Sequence, residues 1–226
     1  GSFYGFAVMA LGMFIHACLI LPSKAASPER APVSIITTLK SIAGNRDFIR
    51  YWWIAALVFA CYFALISVTP LIFMDELKLY EYQYAVVLMV YGIAYLLGGV
   101  AASTLQKHIS LTRQINIGLG LLGVAGVLLA LIIRFEAMTT ISLLIPMLIS
   151  ALAVTLVRPA AISAAMLLFS SSAGTAASAG NSIMFITAAV SSAALAQAGN
   201  NLLMTIAISF IVFSVWGVVT NIRVGR

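Results

Sequence analysis

Two long stretches without a charged residue limit what this chain can fold into. Residues 51–74 and 114–133 contain no Asp, Glu, Lys or Arg, and each is as long as the roughly 20 residues that a helix needs to cross a bilayer. A water-soluble domain needs a polar surface, yet only 8% of the 226 residues are charged, against about 25% in an average soluble domain. The sequence therefore predicts an integral membrane protein.

Charges and turn signals divide the chain into an all-α membrane protein with about seven transmembrane helices. The predicted spans are 3–21, 50–74, 83–105, 114–134, 140–168, 174–197 and 201–222. The first run has no basic segment before it and no small-residue cleavage site after it, so we interpret it as a span rather than a signal peptide. Residues 33–50 mix apolar and basic residues at near-helical spacing, which favours a short amphipathic helix on the inner membrane surface over an ordinary linker.

The basic residues lie mainly on one side of this topology. Nine of them share that side: Lys24, Arg30, Lys40, Arg46, Arg50, Lys107, Arg113, Arg223 and Arg226. The opposite side has only Lys78 and Arg134 between spans, together with four acidic residues. This bias predicts that the C-terminus is cytoplasmic and the N-terminus lies outside. Because the charge of +6 is spread over short segments and not gathered on one face, no nucleic-acid partner is predicted.

One arginine interrupts the uncharged run ALAVTLVRPAAISAAMLLF, residues 151–169. Two registers are open for this region. A span over 139–157 leaves Arg158 in cytoplasmic water but leaves the following apolar segment outside the membrane core, whereas a tilted or kinked span to about 168 buries that segment and is favoured. In the longer span Arg158 lies about 5 Å to the cytoplasmic side of the midpoint, at a rise of 1.5 Å per residue.

A positive charge at this depth needs a wet cavity or a partner, because it costs roughly 2.5–3.5 kcal/mol on insertion scales. Pro159 has no N–H and leaves the carbonyl of Thr155 without its helical donor, and irregular backbone at membrane depth usually lines a cavity. We interpret Arg158 as part of a substrate pathway; the alternative is a side chain that extends to inner-leaflet phosphates. Pro70 predicts a second kink, at the outer end of the second span.

Other polar residues inside the spans are candidate substrate contacts. They include Asn116 and Gln197, and the four to which we assign substrate contact are Tyr62, Tyr91, Tyr95 and Asn181. Tyr91 and Tyr95 are four residues apart and share one helix face. For each of the four, the alternative is a satisfied hydrogen bond between helices, which would make its role purely structural.

Several kinds of chemistry are not indicated. No Asp or Glu lies inside any predicted span, so a proton-binding carboxylate within the membrane is not expected from this chain. Histidine, cysteine and carboxylate residues form no group with metal-ligand spacing, and GLGLLG at 118–123 lies in a membrane run rather than after a strand, so it is not a dinucleotide site. We predict no catalytic residue, no metal, no cofactor and no enzyme activity.

Three stretches together resemble the C-terminal portion of major facilitator superfamily drug/proton antiporters of the Bcr/CflA and MdfA-like type. They are FIRYWWIAALVFACYFALISVTPLIFMDELKLYEYQYAVVL at 48–88, QKHISLTR at 106–113, and VRPAAISAAMLLFSSSAGTAASAGNSI at 157–183. The shared features are a serine-x-proline-like end of helix seven, a Tyr-Glu-Tyr-like entry into helix eight, a mid-membrane proline in helix ten and an Ala-Gly-Thr-Ala turn into helix eleven. The resemblance covers nearly the whole chain.

This resemblance implies a division of the chain and a membrane. Residues 1–21 resemble helix six, 22–50 the cytoplasmic interdomain loop, 51–222 the C-terminal six-helix bundle and 223–226 a cytoplasmic tail. The implied location is the cell inner membrane, with a periplasmic N-terminus. Helices one to five, which carry the proton-coupling acidic residues in that family, would come from missing N-terminal helices or a partner chain.

The resemblance also implies an activity. It is proton-coupled efflux of drug-like or small organic compounds by alternating access, in which the two halves rock around a site at the bilayer midplane. The cation at Arg158 would suit anionic or zwitterionic compounds, or would pair with a carboxylate on the other half.

Two alternatives remain open at this point. One is a non-transporting membrane subunit or fragment. The other is a seven-helix receptor, which is disfavoured because residues 201–222 contain no lysine for retinal and the chain has no Asp-Arg-Tyr or Asn-Pro-x-x-Tyr sequence.

Overall fold

The computed structural model describes residues 2–20, 35–136, 138–197 and 199–222. Within these ranges the chain forms helices and short connections, with no β-strand. It divides into two compact units, residues 1–34 and 35–226. The described part of the first unit is a single 19-residue helix, α1 (Ser2–Ile20).

The described part of the second unit contains seven α-helices. They are α2 (Ile35–Gly44), α3 (Arg46–Pro70), α4 (Glu81–Leu105), α5 (Leu111–Arg134), α6 (Thr140–Leu167), α7 (Ala173–Ala196) and α8 (Leu202–Ile222). A π-helical segment, Leu71–Glu76, continues α3. Short 3-10 turns at Ser170–Ser172 and Gly199–Asn201 precede α7 and α8.

Six of the described helices, α3 to α8, are long and apolar enough to cross a membrane. The predicted spans begin and end within four residues of these helices. The prediction of an all-helical, multi-pass membrane protein is therefore confirmed. The count of seven spans is not confirmed, because the apolar helix Tyr4–Ile20 in the first unit is shorter than the other six.

The predicted inner loop is described only in its second half. Residues 22–34 of that loop and the tail 223–226 lie outside the described residues, so the structure does not address the basic residues there. The short helix α2 falls within the stretch where an amphipathic helix was predicted. It buries Thr38 and Ile42 while Ile36 and Leu39 are exposed.

Polar residues mark where several helices begin. Asn45 precedes α3, and its side-chain oxygen accepts a hydrogen bond from the Phe48 backbone N–H at 2.9 Å. Thr139 precedes α6 and shares reciprocal hydrogen bonds with Ser142. These caps satisfy N–H groups that the first turn of a helix leaves free, so they determine where each apolar helix starts.

Helices α3 and α6 occupy the centre of the second unit. α3 packs against α6, α7 and α8, and α6 packs against α3, α4 and α5, while α5 also packs against α8. α6 is the most buried candidate span, with 56% of its most apolar window buried. Arg158 and Pro159 therefore lie on one of the two central helices of this unit.

Candidate functional site

Four of the five predicted substrate contacts lie together. The rings of Tyr62 on α3 and Tyr91 on α4 are stacked with centroids 5.8 Å apart, and the Tyr95 ring is 5.5 Å from that of Tyr62. The Arg158 charge on α6 lies within electrostatic range of Tyr62. The structure thus brings three tyrosines and the arginine from three helices into one group, which we call the Arg158 cluster.

Arg158 has an aromatic neighbour but no acidic one. Its guanidinium carbon lies 4.9 Å from the ring centroid of Phe59, within the range of a cation–π interaction. Its Nε is buried without a hydrogen-bond partner. Among the described residues the only ion pair joins Arg50 to Asp47. The positive charge of Arg158 is therefore not neutralised by any carboxylate that the structure describes.

Tyr91 carries the most deeply buried hydroxyl of the cluster. The residue is 2% exposed, and its hydroxyl has no hydrogen-bond partner among the described atoms. Ser150 and Tyr62 are polar neighbours, but the Ser150 hydroxyl donates to the Met147 carbonyl at 2.7 Å. A buried hydroxyl usually finds a partner, and the Ser150 and Tyr62 hydroxyls are within reach of the Tyr91 hydroxyl although neither makes a well-aligned hydrogen bond with it.

Asn181 does not join this cluster. It is exposed on α7, and within the described chain no hydrogen bond or ring contact links it to the tyrosines or to Arg158. Phe185 is one turn further along α7, and its ring meets that of Phe59 edge to face at 6.3 Å. Asn181 therefore lies on the helix face that carries Phe185, beside the cluster rather than within it.

The two prolines occupy different kinds of position. Pro70 is the last residue of α3, where the helix changes from α-helical to the π-helical segment Leu71–Glu76. Pro159 lies inside α6, which continues without a break from Thr140 to Leu167. The longer of the two registers considered for this helix is thus the one that the structure has.

The sequence analysis did not single out Phe59 and Phe185. Phe59 contacts Arg158, and both phenylalanines border an open cavity between α3 and α7, which we call the α3–α7 hollow. Its walls include Phe59, Phe63, Phe185, Ala188, Ala189 and Ser192. The spacing of Phe59, Tyr62 and Phe63 places three rings on one face of a helix, and that spacing was the signal available in the sequence.

A buried amide, Gln114, was also missed. Gln114 is fully buried on α5, and its Nε2 donates to the Leu156 carbonyl of α6 at 3.0 Å. Gly118, one turn later, leaves no room for a Cβ against Leu156 and Val157. Helix α5 thus contacts the turn of α6 that immediately precedes Arg158. An amide at the start of an uncharged run was the available signal.

Comparison with known proteins identifies the family. The sequence model of the Major Facilitator Superfamily matches residues 1–192, which is well over half of the 226 residues. No curated protein sequence matches the chain. The matched family consists of transporters, so the prediction that this chain is not an enzyme is confirmed. The six apolar helices are consistent with a membrane transporter of this kind. The chain belongs to the Major Facilitator Superfamily.

Proposed function

We propose that this chain supplies helix six and the C-terminal six-helix bundle of a transporter that exports drug-like or small organic compounds in exchange for protons. Membership of the Major Facilitator Superfamily supports transport of small molecules through a bilayer. The finer assignment, to antiporters of the Bcr/CflA and MdfA-like type in the cell inner membrane, rests on the sequence resemblance. In this assignment the N-terminus of the chain is periplasmic and the C-terminus cytoplasmic.

The observation that carries the proposal is the unpaired Arg158 within a group of tyrosines. A cation at membrane depth costs free energy unless it is paired or hydrated, and half-buried Arg158 has no described carboxylate partner. Tyr62 lies within electrostatic range of Arg158, and its ring contacts with Tyr91 and Tyr95 extend the hydroxyl groups and aromatic faces on that side. We assign substrate binding to these four residues, with Asn181 on the neighbouring helix.

Alternating access also needs helices that can change their packing. Pro159 directly follows Arg158 in α6, and Pro70 precedes a π-helical segment at the end of α3. Non-ideal helical segments of this kind occur in transporters beside the substrate site. We propose these two positions as helix kinks that adjust when the halves rock.

Proton coupling would involve helices that the described residues do not include. No Asp or Glu lies inside the predicted spans, so the titrating carboxylate of the proposed antiporter would be supplied by N-terminal helices or by a partner chain. Arg158 faces either that carboxylate or the substrate during part of the cycle. Protons, a small-molecule substrate and the lipid bilayer are thus the proposed partners.

The test is substrate-induced proton movement in lipid vesicles. One preparation contains this chain together with the helices encoded upstream of it, and the control contains this chain alone. We expect a change in internal pH only when both are present. If confirmed membrane insertion gave no pH response in either preparation, proton-coupled transport would be rejected in favour of another coupling ion or a non-transporting subunit.

A further inference from the structure

The α3–α7 hollow and Arg158 have complementary chemistry and share one residue. Phe59 interacts with the guanidinium of Arg158 at 4.9 Å and with the ring of Phe185 at 6.3 Å. The walls of the hollow are aromatic or small, and Phe185 is 63% exposed within it. A positive charge therefore lies beside an open apolar surface, with Phe59 common to both.

The charge determines which ligands can bind at this end. A cation near Arg158 would be repelled, because the structure describes no carboxylate to offset the two positive charges. A neutral ligand would leave the Arg158 charge as poorly compensated as before. A carboxylate would accept charge-assisted hydrogen bonds from the guanidinium, which are shorter and stronger than neutral ones.

The walls of the hollow determine the shape and polarity of the part of the ligand beyond its charged group. Phe59 and Phe185 meet edge to face, and the edges and faces of aromatic rings favour a further ring in an offset or T-shaped arrangement. Ala188, Ala189 and Ser192 leave space on the α7 side. A flat aromatic body fits these walls better than a flexible or strongly polar one, because it gains contact area at little cost in conformational entropy.

We propose that Arg158, Phe59 and the α3–α7 hollow bind an aromatic carboxylate, with its carboxylate on the guanidinium and its ring against Phe185 and the small residues of α7. This inference rests on the proposed function, since it requires that the face formed by α3, α6 and α7 borders the substrate pathway. It adds to that function the class of compound that the site selects. Tyr62, which interacts with Arg158, borders the carboxylate end.

Equilibrium binding to the purified protein in lipid nanodiscs tests this inference. The preparation contains the chain together with the helices encoded upstream of it. Four probes separate charge from shape: 1-naphthoate, its neutral amide, the naphthylmethylammonium cation, and acetate, which has the carboxylate without the ring. We expect naphthoate to bind at least about tenfold more tightly than the amide and the ammonium, the difference that one charge-assisted hydrogen bond supplies. Acetate should also bind more weakly than naphthoate, because it has no ring to contact the hollow.

Substitutions at the site and away from it test which residues bind naphthoate. Arg158→Gln should remove the preference for the acid over the amide, and Arg158→Lys should keep part of it because the charge remains. Phe185→Ala should weaken acid and amide alike by several fold. Arg134→Gln and Phe135→Ala are matched controls at exposed positions of the α5 end and should change nothing. Equal binding of acid and amide, or a preference that survives Arg158→Gln in correctly folded protein, overturns the inference.

Vesicle transport with the same probes distinguishes this inference from the proposed function. Transport of neutral or cationic compounds, combined with no preference for naphthoate, would leave the exporter proposal standing and reject the aromatic carboxylate. Arg158-dependent binding of naphthoate without transport of any compound would support the binding site and reject the exporter. Stronger binding of the cation would show that Arg158 pairs with a carboxylate outside this chain, and that result also rejects the inference.

Discussion

The α5–α8 contact and the Arg158 cluster both contain polar side chains between apolar helices, but the two regions differ in how those side chains are hydrogen-bonded. In the α5–α8 contact, Asn221 donates to the Asn116 side chain at 2.8 Å and to the Thr112 carbonyl at 3.1 Å. Ser214 donates to the Leu119 carbonyl at 2.6 Å. In the Arg158 cluster, the Arg158 Nε and the Tyr91 hydroxyl make no hydrogen bond, whereas in the α5–α8 contact the Asn221 Oδ1 lacks a partner but the amide nitrogen of the same side chain donates twice.

We interpret this difference as one between structural polar residues and the proposed functional ones. A hydrogen bond between helices stabilises their packing, whereas an unpartnered polar group at the same depth costs free energy. The α5–α8 residues therefore hold two helices together. The rings of the Arg158 cluster pack in the core, and we propose that its unpartnered polar groups serve a ligand rather than helix packing. The following predictions test this distinction, from the largest expected effect to the smallest.

Substitution of Arg158 should affect transport far more than stability. Arg158→Gln is expected to reduce transport of an anionic substrate by about 30-fold or more, the consequence of removing one partner of a desolvated charge pair. The melting temperature should change little, because the charge has no described carboxylate partner and loses only its contact with the Phe59 ring. Vesicle uptake and thermal unfolding in detergent measure the two quantities. A large drop in melting temperature would assign Arg158 to the structural class.

Substitution of Gly118 should reduce stability, the property that substitution of Arg158 should leave nearly unchanged. A Cβ at Gly118 would overlap Val157 and Leu156 of α6, so Gly118→Val is expected to destabilise the protein by about 1–3 kcal/mol through overpacking. Gly120, on the same helix, has no atom within 4 Å of a Cβ, and Gly120→Val is the matched control. Thermal unfolding of both variants measures the difference in their stability. Equal stability of the two would show that α5 and α6 do not approach as closely as described.

The Asn116–Asn221 pair should show a modest coupling. Asn116→Ala, Asn221→Ala and the double variant form a cycle, for which we expect a coupling of about 0.6 kcal/mol, the average for hydrogen bonds between membrane helices. Reversible unfolding in detergent measures it. Transport should be unchanged when corrected for the amount of folded protein. Loss of transport in a stable Asn221 variant would contradict the structural assignment.

Removal of the Tyr91 hydroxyl should have the smallest effect on stability. Tyr91→Phe keeps the ring and deletes a hydroxyl that makes no well-aligned hydrogen bond, so the free energy of unfolding should change by less than about 0.5 kcal/mol, the lower end for a hydrogen bond. Ser214→Ala deletes a buried hydroxyl that does donate a hydrogen bond, and it should cost about 1 kcal/mol. The same unfolding measurement compares them. A larger cost for Tyr91→Phe would indicate a structural hydrogen bond at Tyr91.

Much of the fold could be predicted from the sequence because the bilayer imposes strong local requirements. A membrane helix must be apolar for about 20 residues and satisfy its own backbone hydrogen bonds, so the bounds of α3 to α8 follow from local composition to within a few residues. The apolar run of α1 is a signal of the same kind, but it is shorter than the runs of the other six helices. The candidate site was predictable in part, since rare polar residues such as Arg158 and Tyr62 stand out against an apolar background.

The rest could not be predicted because the rotation of each helix about its own axis is set by its neighbours. Gly98 lets α4 approach Thr155 of α6, and Gly118 lets α5 approach Val157. These contacts accompany the orientation that brings Tyr91 and Tyr95 to Tyr62. The roles of Phe59 and Gln114 depend on residues far away in sequence, and no local pattern identifies such partners.

The sequence by itself determined the membrane setting, the helices of the second unit and the residues from which a site could be built. Those properties depend on the transfer of short segments from water to lipid, which is local to each segment. Only the tertiary structure decided that Tyr62, Tyr91, Tyr95 and Arg158 meet while Asn181 lies apart. That outcome depends on close packing between helices, in which small residues determine which faces can touch.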